Sequence, residues 1–481
     1  MVLYRSFLLA MLLTLMGCAS SPKLGYPVAA SIEWVEPEDQ TFPASAPSAF
    51  NAKRGYLVVS EDHRERSGSV VRLPFVVIQA KNDGGQPPVL RLAGGPGLSG
   101  LNAASYPGAY PWTEDRDFII LGQRGTQGAE PVLQCTEYLE AKSHESRKEA
   151  VLTCRQRYSD QRIDLSTYHS ASSARDIEAL RSALGHETLS LYGGSYGTRL
   201  ALTYARDYRN RVASMVLDSP LPHTVSYDDE SPQNLRDVLQ GVALACAAQA
   251  ECDQAYPDLF KRFTAGLDEA KANPWKYKKS GGEQRTASDA DLVRTVWIGS
   301  SRDLAKVPKT MDSIARRDPR PSVQRLLWGP GRPTAFAWGM RLSFWCSEAL
   351  PFSERMNGVP DESFASLDGA VVSPEVCQIW DVPKRPEAEK AATVSPVPTL
   401  IMSGEFDVLT PPRWGDEVAK TLPNSLAVTI PYGFHSETTN WGGDGCAMRI
   451  AAAFFKDERA FLDAPERATA CLKDRQPPAF E

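Results

Sequence analysis

Gly193-Gly194-Ser195-Tyr196-Gly197 lies between a short apolar β-run, Leu189 to Tyr192, and the helix-forming stretch Tyr196 to Ala205. Glycines on both sides of a serine remove the Cβ atoms that would collide in a sharp strand-to-helix turn. A serine at the tip of such a turn presents its hydroxyl at the end of a sheet, where a neighbouring base can activate it. The five residues alone would suit any tight turn. The strand before them and the helix after them make Ser195 a candidate nucleophile, and the backbone N–H of Tyr196 a candidate oxyanion donor.

A serine nucleophile needs a base, and the base needs an acid that orients it. On a strand-to-helix turn of this kind the acid and then the histidine follow the serine in the chain. Of the six histidines, His63, His144, His169 and His186 precede Ser195, and His223 comes too soon for an acid-bearing strand to intervene. That leaves His435, in the loop after the apolar strand Leu426 to Ile430. The acid should end the preceding strand, Pro398 to Gly404, which is followed by Glu405-Phe406-Asp407. Asp407 is preferred and Glu405 is the alternative, because an acid three residues past the glycine suits a loop turning back toward the histidine.

Acyl transfer also needs donors aimed at the developing oxyanion. The strand Val89 to Ala93 runs into Gly94-Gly95-Pro96-Gly97. Proline lacks an N–H, so Gly95 is the better second donor.

Strands ending at Ala93, Leu121, Tyr192, Asp218, Met402 and Ile430 alternate with helices, the pattern of a mostly parallel sheet covered on both faces. An antiparallel pair, Gly55 to Ser60 and Val70 to Gln79, precedes them. Ser173 to Asp176 reads as a capping box for a helix that Gly185 ends. With the serine turn, this predicts an α/β class chain of the α/β-hydrolase type. The alternation stops after Asp218, and residues 222–392 read as a mainly helical cap inserted before the catalytic acid. The predicted organisation is a signal peptide at 1–17, a linker at 18–48, core halves at 49–221 and 393–481, and the cap between them.

Four blocks resemble the prolyl aminopeptidase and tripeptidyl aminopeptidase group of serine peptidases. They are Gly94 to Gly97, Gln123-Arg124-Gly125-Thr126, the Gly193 to Gly197 turn, and the segment from Pro398 to Cys471, which is similar to a tripeptidyl aminopeptidase-like C-terminal domain. Gly122, Gln127 and Ala129 depart from the usual pattern around the second block. Ala93 replaces the histidine usual in prolyl aminopeptidases, and Phe434 rather than glycine precedes His435. The resemblance implies an aminopeptidase, and hence a carboxylate from the cap that meets the substrate ammonium. Glu348, in the apolar stretch Leu342 to Pro351, is the candidate.

Arg5 followed by the apolar run Phe7 to Met16 reads as an export signal, too short to span a bilayer comfortably. Leu15-Met16-Gly17-Cys18 resembles a bacterial lipobox, implying an acylated Cys18 and a membrane anchor, with Ser20 to Ser48 as tether. The lipobox resemblance implies the bacterial cell envelope and, in a host with two membranes, since Ala19 and Ser20 carry no acidic retention signal, the outer membrane facing the periplasm. Export permits disulfides. Eight further cysteines leave many pairings open. Their spacing suggests that neighbours join: Cys135 with Cys154, Cys246 with Cys252, Cys346 with Cys377, and Cys446 with Cys471, the last also resembling the family's C-terminal bridge. No Cys or His spacing suggests a metal, and the expected chemistry needs no cofactor. The net charge of −6, with no basic patch interleaved with aromatics, argues against a nucleic-acid partner. Peptides are the expected substrates. A carboxylesterase or lipase of the same fold is the alternative enzyme, and an inactive surface binder is the alternative outside enzymes.

Overall fold

The computed structural model describes residues 30–481 apart from 37, 66–67, 83, 142–143, 279–281, 283, 297–300, 319–334, 358–371 and 441–442. The expected signal segment, Cys18 and the start of the tether lie outside the described residues.

Eleven strands form among the described residues. In chain order they are β1 Ala30–Val35, β2 Ala52–Ser60, β3 Val70–Ile78, β4 Val89–Leu92, β5 Phe118–Leu121, β6 Leu189–Gly194, β7 Val212–Asp218, β8 Trp275–Lys278, β9 Gln284–Ala287, β10 Thr399–Gly404 and β11 Ser425–Ile430. Nine of them make one sheet, ordered β1-β2-β3-β5-β4-β6-β7-β10-β11. The pairings from β1 to β5 are antiparallel, and those from β5 through β11 are parallel.

The central strands read as unbroken apolar runs because both their faces are covered. Every residue of β6 and β10 is buried, whereas the edge strand β11 is half open. One face packs Leu90, Leu191 and Leu217 against helices Ser170–Ala183 and Tyr196–Asp207. The other packs Val89, Tyr192, Val216 and Met402 against helix Cys446–Lys456. Each such side chain contributes about 1.5–3 kcal/mol on burial, so two covered faces hold the parallel strands in register.

The folded core begins earlier than position 49. Ala30 to Val35 pairs with β2 from Ala30↔Val59 to Val35↔Arg54, and Phe42 and Ala44 are buried. The expected tether therefore includes an edge strand, missed because its inward residues are masked by a polar, proline-rich neighbourhood. The Ser170–Ala183 helix also starts three residues before the expected Ser173 cap. His169 caps it instead, Nδ1 accepting from the Ser172 N–H at 3.1 Å.

The span 222–392 divides in two. Helices Tyr227–Ala247, Leu259–Ala272 and Ser301–Ala315 surround a separate apolar cluster containing Leu239, Phe263 and Met311. The β8–β9 hairpin interrupts the expected helical cap. From Ala337 the chain rejoins the main core, where Trp338, Leu342, Trp345 and Trp380 pack with Tyr196 and Leu200. All four neighbouring cysteine pairs are joined: Cys135–Cys154, Cys246–Cys252, Cys346–Cys377 and Cys446–Cys471.

Candidate active site

The carboxyl ends of parallel strands are where open α/β sheets bind ligands. Register aligns those ends here: Leu92 of β4 lies beside Gly193, Gly194 beside Asp218, Asp218 beside Met402, and Gly404 beside Ile430. The loops bearing Gly95, Ser195, Asp407 and His435 all leave from this edge.

Ser195 occupies φ 55°, ψ −126° at the start of its helix, a conformation costing a non-glycine residue about 1–3 kcal/mol. Its surroundings enforce the turn. A Cβ at Gly193 would stand 2.6 Å from Gly197 O, and one at Gly197 would stand 2.1 Å from Leu92 O. The Ser195 N–H donates to Asp218 O at 2.9 Å, tying the turn to β7. Gly94 lies so close that a Cβ there would be 3.5 Å from Ser195 Oγ.

His435 Nδ1 lies 3.0 Å and 2.9 Å from the two oxygens of Asp407. An ionised carboxylate only accepts, so Nδ1 carries the proton and Nε2 is the ring nitrogen left for the serine. The Ser195–His435 hydrogen bond is not among those formed; such bonds are often long before substrate binds. Both residues nevertheless face one cavity of about 270 Å³.

Asp407 is fully buried and saturated with donors. Besides His435 it accepts from Leu409 N (2.9 Å), Thr410 N (3.0 Å), Thr410 Oγ1 (2.7 Å) and Ser219 Oγ (2.8 Å). Burial pushes its pKa up, but the His435 imidazole and these donors outweigh it, and the carboxyl titrates below its usual range. Burial likewise pushes His435 down, and the Asp407 charge outweighs it, leaving the imidazole raised. Glu405 is excluded as the acid: its Oε2 accepts from Tyr432 N at 2.8 Å, away from His435. Ser219 and Thr410 had no sequence signal, since a serine or threonine in a loop is commonplace; only their convergence on Asp407 distinguishes them.

Gly95 and Tyr196, the expected oxyanion donors, line the cavity with Ser195. The glycine loop is gripped from the cap side. Arg341 Nη1 donates to Gly95 O at 2.6 Å and lies 3.3 Å from Pro96 O, and Ala337 N donates to Gly97 O at 2.9 Å. The Arg341 guanidinium sits 4.6 Å from the Trp345 ring and 4.8 Å from Phe336. Burial pushes it down to about 10, which leaves it protonated at neutral pH.

Glu348 is not at this site, which corrects the expectation for the amine-binding acid. Its Oε1 accepts from Ser170 N at 2.5 Å and its Oε2 from Arg199 Nε at 3.4 Å. The carboxylate thus serves the start of the Ser170–Ala183 helix and a buried ion pair. Its apolar flanks correctly implied burial, but not which polar groups would meet it. Among the described residues lining the cavity, none is an aspartate or glutamate.

The alpha/beta hydrolase fold family matches residues 87–436. The chain belongs to this family. It is 23% identical to the serine protease Hip1 of Mycobacterium tuberculosis, the match covering 94% of this chain and 95% of Hip1. It is 26% identical to the putative hydrolase YuaR of Escherichia coli over 41% of each chain. Among solved structures, a proline iminopeptidase from Mycobacterium smegmatis is 16% identical, with 81% of this chain and 96% of that one covered and a TM-score of 0.40. The chain is a serine hydrolase of the α/β-hydrolase fold.

Proposed function

We propose that this α/β-hydrolase is an exported, lipid-anchored serine exopeptidase that removes short pieces from the free N-terminus of peptides. The observation that carries the hydrolytic reading is the His435–Asp407 pair turned toward the cavity that also exposes Ser195. Similarity to Hip1, a serine protease, along nearly the whole chain supports peptides as substrates. Ser195 Oγ attacks the scissile carbonyl while His435 Nε2 takes its proton and Asp407 stabilises the imidazolium. The tetrahedral oxyanion is met by the Gly95 and Tyr196 N–H groups. His435 then protonates the leaving amine, and water repeats the sequence on the acyl-enzyme. The lipobox-like Leu15 to Cys18 supports the membrane anchor, and four disulfides suit an oxidising compartment such as the periplasm.

A fluorophosphonate probe should label Ser195, and Ser195→Ala should lose about 10⁴-fold or more of turnover while retaining the native melting temperature. Peptidyl-anilides with a free N-terminus should turn over far faster than their acetylated counterparts. Equal turnover would remove the aminopeptidase reading and leave the hydrolase. One observation favours a second reading: no carboxylate among the described cavity-lining residues awaits an ammonium, which suits a carboxylesterase. That reading expects short acyl esters to be the better substrates and acetylation to be immaterial.

A further inference from the structure

Beside the Ser195 cavity lies a larger one of about 830 Å³, and the two share Arg91, Gly94, Leu98 and Thr439 in their walls. Arg91 belongs to β4, whose register sets it beside Tyr192 of β6, and its guanidinium lies 4.5 Å from the Tyr192 ring centroid. It is close to the nucleophile: a Cβ added at Gly194 would stand 3.5 Å from its Nη1.

Among the described residues no carboxylate comes within ion-pair distance of this cation, although the Asp218 charge acts on it from farther off. Its Nε and Nη1 are buried without an acceptor. A guanidinium offers five donors, and leaving charged donors unmet away from water is costly. The neighbouring charges do not meet the need. Asp218, whose charge acts on Arg91 from beyond ion-pair distance, accepts from Thr438 N and Oγ1 through Oδ2 and leaves Oδ1 buried without a donor. Asp39, also in the larger cavity, accepts from Thr41 N and Oγ1 at 2.7 Å each. Arg54 adds a second positive charge to the same wall, donating to the Glu36 and Ala44 carbonyls. The wall between Ser195 and the larger cavity thus carries a guanidinium without an ion-pair partner among the described residues.

We propose that Arg91 anchors a carboxylate of the substrate, held in the larger cavity while the scissile bond lies at Ser195. Arginine suits this role because its charge persists on burial and its N–H groups make strong charge-assisted hydrogen bonds to a carboxylate. On the exopeptidase reading, on which this inference rests, the carboxylate is the C-terminus of a short peptide or an acidic side chain near it. The enzyme then selects small peptides at both ends, not chain termini of folded proteins.

The test separates the two claims. Calorimetry with the Ser195→Ala protein compares one short peptide as free acid, as C-terminal amide, and as amide carrying an internal glutamate, each with a free or acetylated N-terminus. The free acid should bind about tenfold or more tighter than the plain amide, as expected for a charge-assisted contact. Recovery of that affinity by the glutamate-bearing amide assigns the site to side chains, and failure to recover it assigns the site to the C-terminus. Arg91→Met in the same background should abolish the preference, and Arg91→Lys should keep part of it. Equal affinity of acid and amide, or no measurable binding of the acid, would overturn the anchor. So would a preference that survives Arg91→Met. Dependence on acetylation is read separately and bears only on the aminopeptidase reading.

Discussion

The serine turn and the wall opposite it are built by different means. From β6 into the Tyr196–Asp207 helix, the residues that shape Ser195 are consecutive, glycines at 193 and 197 and a helix that starts at once, and β4 and β7 on either side only tighten the turn. The facing wall, Phe336 to Trp345, comes from more than a hundred residues later and touches the site through Arg341 and Ala337. The first region can be read from one continuous stretch of strand, pentapeptide and helix. The second exists only because a distant helix docks, and its contribution is to hold the oxyanion loop rather than to react.

The largest effect should come from the catalytic pair. Asp407→Asn leaves the shape but offers an amide where the imidazole needs a carboxylate, and turnover should fall by about 10⁴-fold. His435 must be neutral to accept a proton, so activity is lost as pH falls through its pKa. Because Asp407 raises that pKa, the acid limb of kcat/KM should have its midpoint above the ordinary imidazole value of 6.5, and Asp407→Asn should move it downward. A midpoint that stays put in the variant would mean that Asp407 does not govern His435.

Next in size is the wall. Arg341→Met removes the donor to Gly95 O, and a displaced oxyanion loop should reduce kcat by about 10–10²-fold with KM little changed. Partial rescue by Arg341→Lys would separate loop positioning from simple packing. A pure loss of thermal stability with unaltered kcat would erase the distinction drawn between the two regions. The smallest catalytic effect belongs to Glu348→Ala. It should destabilise by about 1–3 kcal/mol, since it leaves the Ser170 N–H and Arg199 without their buried acceptor, while the folded fraction keeps its turnover. Denaturant titration and active-site labelling measure both quantities.

A residue is legible where its own chain neighbours carry the signal, whatever its distance from the partners it meets. His435 is legible by elimination among six histidines, and Asp407, with Glu405 as the alternative, by its place three residues past the glycine that ends a strand. The disulfide partners were near neighbours in the chain and could be guessed from spacing. β1 was hidden because a six-residue edge strand in polar surroundings has weak periodicity. Glu348 failed for a sharper reason. Its flanks announce burial, but local sequence does not distinguish a buried carboxylate that faces a cavity from one that meets a helix start or an arginine. Arg91 is one charge in a short strand with no local signal; that no described carboxylate comes within ion-pair distance is a property of everything around it.

By itself the chain determined the class of the fold, the strained serine turn and the order in which acid and base follow, since steric exclusion and hydrophobic periodicity act between close neighbours. Tertiary structure decided the rest: which donors saturate Asp407, which cap residue grips the oxyanion loop, where Glu348 spends its charge and why Arg91 keeps its own. Those outcomes depend on desolvation and on hydrogen bonds between segments hundreds of residues apart, and both are set only when the core closes.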